Sequence, residues 1–218
     1  MMARPSSPAE LEPQVSEGET LAKSLLVAGI LGCFLHTAAA SCEGPQPWRA
    51  PGAVAYSESD LRIFYDLARE SSSAYSSGDL LKAKKLSQRY LIAAERFPCD
   101  WNHGNAVHNA NAIMGLIALQ EGQHAVSVQH LLAAGRSRGS PQLNTFGPSL
   151  LLAKRLAEAG EFDAVAAYIL SIRRFWEAKD LTVLGLIGFP DPQPMSTWLE
   201  TLASGRSPNF GFNADKLP

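Results

Sequence analysis

Cysteine is scarce in this chain. Cys33, Cys42 and Cys99 are the only three in 218 residues, too few and too scattered for a disulfide framework or a zinc site. An excess of one charge is missing as well. Nineteen Lys and Arg face 21 Asp and Glu, a formal net charge of −2, and from Cys42 onward the two signs balance. So neutral a chain has no general attraction to nucleic acid or anionic lipid, and no nucleic-acid partner is expected. No charge-free apolar run reaches the ~20 residues of a membrane-spanning helix. Proline is almost absent from the middle: between Gly52 and Ser140 only Pro98 occurs. Apart from 181–187, no stretch alternates apolar and polar residues, which argues against a sheet. What is there, at 46% hydrophobic and 18% charged, is enough for one globular domain with a real core and tails.

The front of the chain reads in three pieces. Residues 1–23 are polar, with Pro5, Pro8, Pro13 and four Glu, and are expected to be a disordered lead. Residues 24–42 follow: SLLVAGILGCFL (24–35) rises only about 18 Å as a helix, short of the ~30 Å hydrocarbon core. That length suits the apolar region of a signal peptide. Ala38-Ala39-Ala40 resembles a signal-peptidase site, and Ala39-Ala40-Ser41-Cys42 resembles a lipobox, which makes Cys42 the lipidation candidate. An exported, periplasmic or membrane-anchored protein is therefore expected, touching a membrane only through this segment or its lipid. The alternative is an N-terminal amphipathic or buried helix in a cytoplasmic protein. Residues 43–56, with Pro45, Pro47 and Pro51, are a linker.

From Ser57 the apolar positions take helical spacing. Leu61, Phe64, Ala68 and Tyr75 mark a first helix, capped by Ser57 or Ser59 and stopped at Gly78-Asp79. Ala83, Leu86, Tyr90, Ala94 and Phe97 stripe a second, whose Lys82, Lys84, Lys85 and Arg89 form a solvated face; Pro98 ends it. Ala106, Ala110, Ile113 and Ile117 give a third helix ending at Gly122, and Val128, Leu131 and Ala134 a fourth ending at Gly135. Pro148 opens a fifth with Leu152 and Leu156, closing at Gly160, and Phe162, Val165, Ile169, Ile172 and Trp176 define a sixth. Thr197 to Glu200 has capping-box spacing and opens a short helix to Ser204, with Trp198 and Leu199 as anchors. The helical domain thus spans 57–204, and 205–218 is a tail.

Met114-Gly115, Gly122, Leu131 and Ala134 fall where tetratricopeptide (TPR) repeats place their large-small pair, turn glycine and second-helix positions. Leu152-Ala153, Leu156, Phe162 and Ile169 repeat part of that pattern around Gly160. Over Asp100 to Trp176 and the tail Gly205 to Asn213, DWNHGNAVHNANAIMGLIALQEG, GSPQLNTFGPSLLLAKRLAEAGE and RSPNFGFN resemble an uncharacterised bacterial family of TPR-like proteins. The resemblance implies an all-α fold: a TPR-like α-α superhelix of about three hairpins with a C-terminal capping helix. It implies no activity.

One polar cluster stands out. Trp101, Asn102, His103, Asn105, His108, Asn109 and Asn111 crowd the start of the third helix, and on a helix Asn105, His108 and Asn109 share a face. Asn is a modest helix former, so four near one N-terminus need a reason. A second polar insert, Gln142 to Gly147, lies just before the fifth helix and is expected to meet them on the concave face, with Asn144 and Phe146 as its candidate residues. The eight candidates for binding are Trp101, Asn102, His103, Asn105, His108, Asn109, Asn144 and Phe146. His103 and His108 are five apart and miss the i,i+4 spacing of a helical metal pair; no metal or cofactor is expected. No carboxylate stands close enough in sequence for a triad, although Asp100 could cap or orient His103. The expected function is a non-catalytic scaffold that binds a protein or peptide on the concave face of stacked hairpins. The alternatives are a small-ligand-binding protein or enzyme centred on 102–111, and a structural subunit of an envelope assembly.

Overall fold

Ser57 opens the first helix as its spacing predicts: its hydroxyl accepts from the Asp60 amide at 3.1 Å, and α1 runs Glu58–Ser76. Asp79 does the same for α2 (Leu80–Arg96), taking the Lys82 amide. The computed structural model describes residues 57–176 and 195–218. The expected lead, the 24–42 segment with Cys42, the linker and the 181–187 stretch lie outside them. Then come α3 (His103–Gln120), α4 (His124–Gly135), α5 (Pro141–Phe146), α6 (Leu151–Glu158), α7 (Phe162–Ile172), α8 (Met195–Ala203) and a 3-10 turn, Gly211–Ala214. Among the described residues all regular structure is helical, and no strand occurs. The fold is all-α.

Consecutive helices pair α1 with α2, α3 with α4 and α6 with α7; α3 also touches α1, α2 and α6. Between the members of each pair the chain reverses at Gly78, Gly122 or Gly160, whose φ values of 80°, 74° and 89° suit glycine alone. The apolar stripes become two cores. In the first, the Phe64 ring packs 5.0 Å from Phe97 and 5.4 Å from Tyr90, closed by Ile113 and Ile117 of α3. The second gathers Leu116, Leu131, Leu152, Leu156 and Ile169 with Trp176 and Trp198. Helix α3 serves both, with 13 of its residues buried. Gly115 sits where a side chain would meet Leu152 and the Cβ of His130, a close helix contact.

Four local expectations change. The polar insert before the fifth expected helix is itself helical: Pro141–Phe146 form α5, with Ser140 capping the Leu143 amide and Pro141 at the first helical turn. Pro148 does not open the next helix: α6 begins at Leu151, and the Leu150 amide donates instead to the Asn213 carbonyl at 2.8 Å. Thr197 is no cap, because α8 already starts at Met195 and the Thr197 carbonyl accepts from Thr201 Oγ1. The 205–218 stretch is packed: Phe210 meets Trp198 edge-on at 5.3 Å, and Asn213 bonds the carbonyls of Phe146 and Pro148. Trp198 is fully buried as its anchoring role predicts. Cys99, in the turn after α2, is disulfide-bonded. No helix among the described residues is long and apolar enough to cross a membrane.

Candidate functional site

The polar cluster is a network closed mostly on itself. Asn102, at the start of α3, leaves the usual capping bond unmade; its amide NH2 donates to the Tyr90 hydroxyl at 2.9 Å and its oxygen accepts from Asn105 Nδ2 at 2.9 Å. Asn105 Nδ2 also reaches Gln142 Oε1 at 3.3 Å, and its oxygen accepts from the Ser140 hydroxyl. These bonds tie α3 to α2 on one side and to the start of α5 on the other. Ser137 reinforces the joint by donating to the Gly104 carbonyl at 2.8 Å, and Arg138 donates to the Asp100 carbonyl at 3.3 Å.

His108 is completely buried. Its Nδ1 lies 2.9 Å from Asn109 Oδ1, which only accepts, so the proton sits on Nδ1. Nε2 is then the acceptor for the Tyr168 hydroxyl, also at 2.9 Å, which bridges α3 to α7. Burial holds His108 well below the ordinary imidazole value, at about 4; the Asn109 bond opposes this and Lys216 adds to it. A neutral, doubly bonded imidazole with no solvent contact is a structural element and no proton shuttle. Asn111 donates to the Val107 carbonyl and accepts from His130 Nδ1 at 3.0 Å, joining α3 to α4.

Other sequence candidates stand elsewhere. Trp101 is partly exposed and packs on Tyr65, ring centres 5.3 Å apart, off the helix. Asp100 makes no hydrogen bond to the His103 ring: its carboxylate accepts from the Tyr65 hydroxyl and the Asn102 amide, its carbonyl accepts from the His103 amide, and its charge reaches the ring only through space. His103 Nδ1 is buried without a partner among the described residues, and burial, then Arg138, lower its pKa to about 4. Asn144 is exposed and accepts from the Ser140 amide, and the Phe146 ring faces solvent at 60% exposure. Neither side chain joins the cluster. The insert meets the cluster through Gln142, its first residue, and through Ser140 just before it. The spacing marks Tyr90 only as a stripe position and does not mark Tyr168, because nothing in a sequence tells where a phenol will find its partner. The Ser140-Pro141 pair was the readable signal for the α5 joint.

Two cavities open along one face of α3, the row Asn105, Asn109, Leu116 and Gln120 set by the helical repeat. One, of about 180 Å³, is lined by Asn105, Asn109, Gln142, Ser149 and Lys216 among others. The second, of about 360 Å³, lies between Tyr75 of α1, Leu116, Leu119 and Gln120 of α3, and Leu151 and Arg155 of α6. Gln120 there donates to the Tyr75 hydroxyl at 2.9 Å. Among the described residues no three His, Cys, Asp or Glu side chains are grouped to hold a metal ion.

Fold and site together define an all-helical protein with a closed polar seam and an adjoining grooved face. No family model, curated protein or solved structure matches the chain. The likeness to TPR repeats therefore rests on the residues quoted above.

Proposed function

We propose that the chain is a non-catalytic scaffold, a TPR-like superhelix of three hairpins that binds a protein or peptide along the face where α1, α3 and α6 meet. The larger cavity supports this reading most. It is lined by the first helix of each hairpin, the helices that line the concave surface in stacked-hairpin arrays, and it mixes apolar walls with Gln120 and Arg155. Catalysis at the Asn/His cluster has no such support, since both His108 nitrogens are engaged inside the protein. The test is selection of peptides from a random library on the full chain. Selected peptides should lose binding to Leu119→Asp, in the groove, and keep it with Ile92→Asp, at an exposed site on α2. Peptides indifferent to both would end the proposal. The same reading places the domain outside the cytoplasm, tethered or released at 38–42. Metabolic labelling with a fatty acid, lost in Cys42→Ser, would establish the tether.

A further inference from the structure

The charges of the chain nearly cancel overall, but those of α2 do not: it holds Lys82, Lys84, Lys85, Arg89 and Arg96 against Glu95 alone. The helical repeat sets Leu81, Lys85, Gln88, Arg89, Ile92 and Arg96 along one stripe, with Lys82 and Glu95 at its two edges. All of these side chains are exposed, because α2 turns the opposite face, with Ala83, Leu86, Tyr90 and Ala94, into the first core. Leu81 at 66% and Ile92 at 62% are the most exposed large apolar side chains among the described residues. Both stand on the stripe that carries the cations, about 16 Å apart along the helix. Lys82, Lys85 and Arg89 have no ion-pair partner among the described residues. The acids around them are engaged or marginal. Asp60 lies 3.9 Å from Arg96 and Glu121 3.6 Å from Lys84, Asp79 caps the helix through the Lys82 amide, and Glu95 stands at the edge.

We propose that the exposed face of α2 docks on an anionic lipid surface, with Lys82, Lys85 and Arg89 at the headgroup phosphates and Leu81 and Ile92 entering the acyl boundary. Each cation gains from the negative surface potential of such a bilayer, and inserted aliphatic groups add to that gain. Lys and Arg have stems long enough to lie along apolar surface while their charges reach the phosphates. A nucleic acid would meet the same cations but gain nothing from Leu81 and Ile92, and the stripe offers no ring on which a base could stack. Three unpaired cations make a weak, reversible contact, one that orients a protein more than it anchors it. Docked through this face, the protein turns the α1 and α3 side of the hairpin, with the larger groove, away from the bilayer. This contact needs neither a peptide in that groove nor a lipid on Cys42.

The test is co-sedimentation of the full chain with vesicles of phosphatidylcholine, alone or with about one-third phosphatidylglycerol. The N-terminal segment is common to all variants, so the readout is the preference for the anionic vesicles over the neutral ones. At low salt that preference should be about tenfold or more, and it should vanish at about 1 M salt, where the screening length is ~3 Å. Replacing Lys82, Lys85 and Arg89 together by Gln should bring the preference to within about twofold. Replacing Arg136, Arg173 and Arg206, exposed cations elsewhere, should leave it in place. Leu81→Ser with Ile92→Ser should weaken binding several-fold and keep its salt dependence. All these positions are exposed, and every variant should melt like the parent. A parent with no preference for the anionic vesicles, or a Lys82, Lys85 and Arg89 variant that keeps it, would overturn the proposal. So would a thymidine oligonucleotide held by the same three cations under conditions in which the vesicles are not bound, which would assign the face to a nucleic acid.

Discussion

The two halves of α3 are buried to similar depth by different means. From Ala112 to Ala118 every residue is buried, and side-chain contact is mainly apolar: Ile113 and Ile117 face the first core, Leu116 the second, and Gly115 lets α6 and α4 approach, its carbonyl accepting from the Ser127 hydroxyl of α4 at 2.8 Å. From Gly104 to Asn111 the helix is buried almost as fully, yet Asn105, His108 and Asn111 meet their neighbours atom to atom, through Gln142, Ser140, Tyr168 and His130. Apolar burial scales with area and tolerates small shifts. A hydrogen bond near 2.9 Å does not, and a lost partner leaves a buried group unsatisfied. The C-terminal half holds helices together; the N-terminal half fixes which residue stands opposite which.

The sharpest way to break that contrast is Gly104→Ala. A Cβ at Gly104 would fall on the Gly139 carbonyl, and that backbone is held in place by Ser137, which bonds both the Gly104 carbonyl and the Gly139 amide. Neither side has a flexible side chain to give way, so the cost should be about 4 kcal/mol, read from the urea midpoint. Gly122→Ala is the control. It meets open space at a φ of 74° and should cost only about 1–2 kcal/mol of left-handed strain. Equal losses would mean that α3 and the 137–139 loop are not locked together.

Next in size comes pH. Folding holds His108 neutral down to about 4, whereas the unfolded chain takes up a proton near its ordinary value of about 6.5. Between those values the unfolded state binds more protons. The His108 contribution is therefore complete above about pH 6.5 and is lost as pH falls towards 4, up to about 3 kcal/mol. His103 and His130, also lowered by burial but less enclosed, act in the same direction. Midpoints measured at several pH values should show this fall, and His108→Gln should flatten it. A His108 ring signal that titrates near 6.5 in the folded protein would refute it.

These partners also mark where the sequence stopped being readable. Period-3.6 spacing, turn glycines and the caps Ser57 and Asp79 located α1 to α4, α6 and α7 to within a few residues, because those signals are local. Helix α5 has six residues, too few to show a period, and only Ser140-Pro141 announced it. The cluster was visible as an excess of Asn and His, and a joint with the 141–147 insert was expected from stacking α3 beside the next hairpin. The choice of Ser140 and Gln142 over Asn144 and Phe146 depends on which way α5 turns. The bond from Tyr168 spans 60 positions, and the packing of 205–218 on α6 likewise joins distant parts of the chain. No spacing rule reaches that far.

In the apolar half, Gly115→Leu should cost about 2 kcal/mol. The added side chain would press on Leu152 and on the Cβ of His130, but Leu152 ends in methyl groups that have room to rotate. The loss should therefore be about half that of Gly104→Ala, although the side chain added is larger. An unchanged denaturation midpoint would mean that the contact of α3 with α4 and α6 is looser than these positions require.

The last contrast divides the polar half itself, and its second member is the smallest effect of all. Asn105 is buried and makes three bonds, to Asn102, Gln142 and Ser140; truncating it to Ala strands the Asn102 oxygen and the Ser140 hydroxyl in the interior, for about 1–3 kcal/mol. Asn109 is only partly buried, and its one bond accepts the His108 Nδ1 proton beside a cavity. Water entering from that cavity would satisfy the same proton, so Asn109→Ala should cost below about 1 kcal/mol. Thermal melts of the two variants run side by side check this contrast: Asn105→Ala should melt well below the parent and Asn109→Ala close to it. A loss in Asn109→Ala as large as that in Asn105→Ala would make Asn109 part of the seam.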